Sequence, residues 1–190
     1  MKYTHKIQQA IKFSVKTHEV YQKQKRKGKD IAYITHPLTV ALVLSLAGAS
    51  EDVIVAGILH DTIEDSAEYK KVDRDMITER FGEHVAELVD SVTEEDPSMP
   101  WGERKRQARE HIADFSLDSL LLKSADILAN TSEIVAYHAR YGDEVFNWFH
   151  ASKEDSIRHY LLSIEAILKR WPENPLAEDL QAVAGNLRQL

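Results

Sequence analysis

The stretch ILHDTIED, residues 58–65, breaks an apolar run with His60 and Asp61, and Glu64 and Asp65 follow at once. A carboxylate placed there is expensive to bury unless something compensates it. A divalent cation would do so, and imidazole nitrogen beside carboxylate oxygen is a ligand set for Mn, Fe or Zn. Two ligands are too few for a tight site, so others must come from elsewhere in the chain. Taken alone, a His-Asp pair is more commonly a helix cap or a simple hydrogen-bonded pair. Two other places offer ligand atoms. His36 stands in YITHPLTVA, and Asp126 stands in LLKSADILAN among Ala125, Ile127 and Leu128. Asp126 either lies on the polar stripe of its helix or is buried with a partner.

The elements that must position these residues are helices. Gly and Pro are scarce, at 7 and 5, and apolar residues recur at spacings of three and four. Ile7, Ile11, Val15 and His18 fall on one helical line, which predicts a first helix over about residues 4–23. Pro37 stands where a helix can start, since its missing N–H costs nothing in the first turn. PLTVALVLSLAG then reads as a helix closed by Gly48. Ser50 reads as the N-cap of EDVIVAGILH, which has two acids in its first turn and is apolar nearly all round, as a buried helix is. Further helices are predicted at about 73–81, 83–92, 102–112, 117–132, 143–169 and 176–188. Pro97 and Pro100 mark one loop, and Pro172 and Pro175 set off the last helix. Strand signals are weak. The fold class is all-α, with about eight or nine helices packed around one core.

Composition narrows the function. A chain of 190 residues with 43% hydrophobic content suits one domain with a sizeable core. No run spans a membrane and no signal pattern is present, so a soluble cytoplasmic protein without membrane partners is expected. The absence of Cys removes disulfides and thiolate metal sites. A net charge of −7 argues against general nucleic-acid binding. Against that background QKQKRKGKD gathers Lys23, Lys25, Arg26, Lys27 and Lys29 before the first acid, Asp30. Such a knot is either a solvated loop or the seat of a small anion.

Taken together, His36, His60-Asp61 and Asp126 resemble the H…HD…D signature of the HD-domain metal-dependent phosphohydrolases. YITHPLTVALVLSLAGASEDVIVAGILHDTIEDS is similar, nearly position by position, to the hydrolase domain of the RelA/SpoT enzymes and to the single-domain small alarmone hydrolases. The resemblance covers about residues 5–150 of a single hydrolase domain 1–190, and leaves about 151–190 as a helical extension. It implies that His36, His60, Asp61 and Asp126 hold one divalent metal, typically Mn²⁺, with other divalent ions possible. It implies that Glu64 and Asp65 are the catalytic acids, and that Lys25, Arg26, Lys27, Asn130 and Trp148 meet a small-molecule nucleotide. The implied reaction removes the 3′-pyrophosphate from guanosine tetra- or pentaphosphate, giving GDP or GTP and pyrophosphate.

The chemistry suits those roles. Two imidazoles and two carboxylates neutralise a divalent cation and leave coordination positions for water and a substrate oxygen. Glu64 follows His60 by four residues and Asp65 follows Asp61 by four, so a helical turn or a tight reversal keeps both acids near the metal. Adjacent acids in different environments can take a proton from the attacking water and supply one to the departing 3′-oxygen. Asp126 and Asn130 are one turn apart on one helix face. Guanidinium pairs with phosphate or lies on a purine ring, while Lys supplies point charge. Either Arg26 or Lys27 can lead.

Other residues read as structural. His18 is in line with Ile7 and Ile11. His84, His111, His138, His150 and His159 lack motif context. ERKRQARE, residues 103–110, mixes signs as a solvated face does. Two departures bear on substrate: Ile127 and Ser132 stand in the region where the family carries basic residues. They leave open an adenosine analogue of the alarmone or NADPH as substrate, and beyond these a catalytically silent nucleotide-binding module.

Overall fold

The computed structural model describes residues 3–94 and 98–190. Pro97, one of the expected loop markers, lies outside them. Nine α-helices and no strand occur among the described residues, and no helix there is long and apolar enough to cross a membrane. The chain divides into two compact units, Met1–Thr93 and Glu94–Leu190.

The first unit is built around a helix that water does not reach. α1 (His5–Val15), α2 (Thr35–Leu46), α3 (Glu51–Leu59), α4 (Arg74–Phe81) and α5 (Glu83–Val92) follow in order. Every residue of α3 from Val53 to Leu59 is buried, and α3 packs against α1, α2 and α5. Its N-cap is Ser50, whose hydroxyl accepts from Val53 N at 3.4 Å. Gly48, at φ +77°, turns the chain out of α2 and into that cap. Gly57 has a different use. A Cβ there would meet Leu44 Cδ1 at 2.5 Å and Val40 Cγ1 at 3.4 Å. Only a hydrogen lets the backbone of α3 lie this close to α2.

Two expectations shift slightly. The first helix leaves α geometry at Lys16 and runs to Tyr21 in a wider turn, with Gln22 N donating to Thr17 O at 3.0 Å. It then stops short of residue 23, because Lys23 adopts φ +52° and the chain enters a small hairpin. α2 begins two residues before Pro37, at Thr35. Pro37 still sits in the first turn, where N–H groups lack intrahelical partners.

The second unit holds α6 (Trp101–His111), α7 (Leu117–Tyr141), α8 (Lys153–Arg170) and α9 (Ala177–Leu187). α7 packs on α8 and α9 through buried residues such as Leu120, Ile127, Ile167 and Leu180. It runs past the expected end at 132, because nothing breaks it before Gly142 at φ +59°. The hydroxyl of Thr131 donates back to Ile127 O at 2.6 Å, so that residue is absorbed into the helix. The helix expected over 143–169 is split instead. Gly142–Trp148 winds tightly, and α8 starts afresh from its Ser152 cap.

Candidate metal centre

The close approach at Gly57 sets the geometry of the cluster. His36 lies in the first turn of α2, and His60 directly follows α3. Both rings are buried, at 5% and 4% exposure. His60 Nδ1 lies 2.9 Å from Gly57 O, a carbonyl that can only accept, so Nδ1 carries the hydrogen and Nε2 offers a lone pair. That Nε2 lies 3.2 Å from His36 Nε2 and 3.1 Å from Asp61 Oδ2. His36 Nε2 is 3.5 Å from the same oxygen. Two imidazole nitrogens and one carboxylate oxygen thus converge on one point. This donor set fits a divalent metal ion.

Asp61 is held from behind. The Tyr33 hydroxyl donates to Asp61 Oδ2 at 2.6 Å. Burial, then the negative fields of Asp61 and Asp65, push the Tyr33 phenol well above its usual range, so it remains a donor; Arg26 opposes this weakly. After Asp61 the chain makes one turn, with Asp65 N donating to Asp61 O at 2.9 Å. The two acids meet different surroundings. Glu64 is exposed, while Asp65 is half-buried and accepts from Gln24 Nε2 at 2.9 Å. Burial, then the Asp61 charge, raise the Asp65 pKa, and hydrogen bonds from Gln24 and Tyr33 and the field of His18 only partly offset this. His18, fully buried, bonds Gln24 Oε1 at 3.0 Å and lies ring to ring with Tyr33 at 5.0 Å.

The basic knot forms the tip of a hairpin closed by Arg26 N to Ile31 O at 2.9 Å and Tyr33 N to Gln24 O at 3.1 Å. Arg26 lies over the Tyr33 ring, 5.6 Å from its centroid. Lys25 pairs with Asp30 at an exposed position, and Lys27 is exposed. Arg26 thus covers the ring whose hydroxyl bonds Asp61.

In the second unit Asp126 is flanked on its own helix. Lys123 Nζ donates to Oδ2 at 2.8 Å and Asn130 Nδ2 donates to Oδ1 at 2.7 Å. The shared face expected of Asp126 and Asn130 is present. Trp148 stands edge-on to Tyr137 and Tyr141, at 5.9 and 5.8 Å. His159, on α8, receives Arg109 Nη1 at Nδ1 across 3.1 Å and packs edge-on to Trp101. Burial, then the positive fields of Lys105, Lys123 and Arg109, lower its pKa to about 3, with Asp126 pulling the other way. The face expected to be solvated is only partly so. Arg106 pairs with Glu110 in water, but Arg104 and Lys105 close on Glu94, whose side chain is 8% exposed.

Sequence reasoning passed over Tyr33, Gln24, Lys123, Arg109 and His159. Lys123 was the legible one, three residues before Asp126. The others reach their partners from the hairpin or from other helices.

Comparison with known proteins agrees with the fold. The HD domain family matches residues 10–132. A Xenopus tropicalis protein, guanosine-3′,5′-bis(diphosphate) 3′-pyrophosphohydrolase MESH1, is 35% identical over 130 residues, 67% of this chain and 69% of its own length. An Aquifex aeolicus guanosine-3′,5′-bis(diphosphate) 3′-pyrophosphohydrolase is 38% identical over 130 residues, 67% of this chain but 18% of that longer protein. The solved structure of a metazoan ortholog of SpoT shares the fold, with TM-score 0.79 and 23% identity over 100% of this chain and 97% of that one. The chain belongs to the HD domain family.

Proposed function

We propose that this chain is a cytoplasmic hydrolase that removes the 3′-pyrophosphate from guanosine tetra- or pentaphosphate. The observation that carries the reading is the convergence, at 3.1–3.5 Å, of His36 from α2 with His60 and Asp61, which open the HDTIED segment. Relatives at 35% and 38% identity that bear this activity in their names support the substrate. The two units, on this reading, are parts of one hydrolase domain.

His36, His60, Asp61 and Asp126 are the proposed ligands of one Mn²⁺. The Lys123 and Asn130 bonds that fix the Asp126 carboxylate support its role. The cation would acidify a water and polarise the phosphoryl group. The chain's own residues then handle charge and protons. Arg26, with Lys25 and Lys27, holds phosphate or base. Asn130 and Trp148 are the proposed sugar and base contacts. Glu64, exposed, accepts the proton of the attacking water. Asp65, whose burial favours its acid form, is the proposed proton donor to the departing 3′-oxygen. Oxygen from water bonds to phosphorus, the 3′-O–P bond breaks, and the nucleotide 3′-hydroxyl and pyrophosphate are released.

A second reading keeps the chemistry and changes the nucleotide, to an adenosine alarmone or NADPH. It rests on Ile127, which is buried in the core, and Ser132, where the family carries basic residues. A panel of these nucleotides with Mn²⁺, assayed for pyrophosphate against monophosphate release, tests both readings. Pyrophosphate from the guanosine tetraphosphate alone supports the first. Monophosphate from NADPH alone overturns it. His60→Ala and Asp126→Ala must each lose metal as well as turnover.

A further inference from the structure

α1 and the wider turn that continues it carry a row of side chains for which the metal cluster has no use. His5, Gln9, Lys12 and Lys16 recur at spacings of four, three and four, so they share the face opposite Ile7, Ala10 and Ser14. Beside this row the helix faces the end of α4, and the two enclose a cleft of about 490 Å³. Arg80 and Phe81 close it from α4, and Lys6 and Phe13 from α1. The cleft lies wholly within the first unit and shares no lining residue with the His36, His60 and Asp61 cluster.

Its electrostatics are one-sided. Among the described residues no acidic side chain lines it. Lys6 is neutralised by Asp52 at 2.6 Å. Lys12, Lys16 and Arg80 have no acidic partner among the described residues. The only charge contacts of Lys16 and Arg80 there are with rings, those of Tyr21 at 5.5 Å and Phe13 at 5.4 Å. Three uncompensated cations around one concavity are mutually repulsive in a protein whose net charge is −7. An anion in the cleft would relieve that repulsion. Phe13 stands edge-on to Phe81 at 5.7 Å, which fixes the ring that Arg80 covers. The exposed outer face of that guanidinium is left for a second flat group, because guanidinium stacks on planar rings.

We propose that this cleft is a second ligand site, taking a nucleoside di- or triphosphate with its phosphates on Lys12 and Lys16 and its base against Arg80. The volume lies within the range of small-molecule sites, and the net negative charge disfavours a long polyanion such as nucleic acid. The site is independent of the reaction proposed above.

The test is a calorimetric titration of the EDTA-treated full chain at low salt, with GDP and with inorganic pyrophosphate as probes. Lys12→Glu with Lys16→Glu should weaken both probes by about tenfold or more, since two phosphate contacts become repulsions. Arg80→Ala should weaken GDP more than pyrophosphate. Arg26→Ala with Lys27→Ala, which alters the proposed catalytic loop, should leave a GDP site of unchanged affinity. Lys12 and Lys16 are exposed, and the milder Lys12→Gln with Lys16→Gln should give an intermediate loss. Wild-type affinity in the Lys12 and Lys16 variants overturns the site. So does loss of all binding in the Arg26 and Lys27 variant. Neither result depends on whether the chain hydrolyses anything.

Discussion

His60 gives its Nδ1 hydrogen to the carbonyl of Gly57, 2.9 Å away and one helical turn earlier, and so turns its Nε2 toward His36 on the neighbouring helix. The residue that orients this imidazole is also the one that lets the two helices lie close.

That double use makes Gly57→Ala informative. The added Cβ would lie 2.5 Å from Leu44 Cδ1, so that fully buried side chain would have to shift. Overpacking of this kind costs about 1–3 kcal/mol, partly offset by about 1 kcal/mol from the better helix propensity of Ala. If the helices part, the His36–His60 distance grows and metal binding weakens even though every ligand remains. The expected outcome is a folded variant with reduced Mn²⁺ affinity by titration. Wild-type metal affinity would mean that α2 and α3 repack without moving the imidazoles.

Tyr33→Phe tests support of the carboxylate. It deletes one hydroxyl, the donor to Asp61, and keeps the ring under Arg26. Loss of such an outer partner typically weakens a metal site about 10–100-fold. Metal affinity should fall while the fold stays intact. An unchanged affinity would reduce Tyr33 to a platform for Arg26.

Much of this arrangement was legible in the residues. Ser50, the apolar run after it and His60-Asp61 announced a buried helix ending in a His-Asp pair, because capping and periodicity are local signals. Tyr33 and Gln24 were not legible as partners. They come from an irregular hairpin, where no period tells which way a side chain points. Gly57 was not singled out, since its value lies in what α2 places opposite. Arg109 and His159 are fifty residues apart on different helices, and the alternating charges of α6 mimic a solvated face.

Asp65 and Glu64 should separate on substitution. Because the folded pKa of Asp65 is raised, its neutral form favours folding at pH below the unfolded value, near 3.8, and that stability is lost as pH rises through the folded pKa. At neutral pH the buried charge is therefore a burden. Asp65→Asn should raise the melting temperature of metal-free protein at pH 7 and lower turnover. Glu64→Gln, at an exposed position, should leave stability alone and lower turnover by about 10²–10⁴ if it accepts the proton. If Asp65→Asn lowers the melting temperature instead, the hydrogen bond from Gln24 outweighs the burial.

His159 gives the second unit a pH dependence of opposite sign. In the fold its Nδ1 must accept from Arg109, which only the neutral ring can do. Protonation would set two cationic groups face to face, with Lys105 and Lys123 adding to the repulsion. An unfolded His titrates near 6.5, whereas this one is lowered to about 3. Between those values the unfolded chain binds a proton that the folded chain refuses. The stability His159 allows is thus complete above about pH 6.5 and falls as pH drops toward 3, by at most about 1.4 kcal/mol per pH unit. His159→Gln keeps an acceptor for Arg109 but cannot titrate. Urea unfolding at about pH 7.5 and about pH 5 should show wild type losing more stability than this variant over the interval, by about 2 kcal/mol. Equal losses in the two proteins would mean that His159 accepts its proton in the folded chain as readily as in the unfolded one.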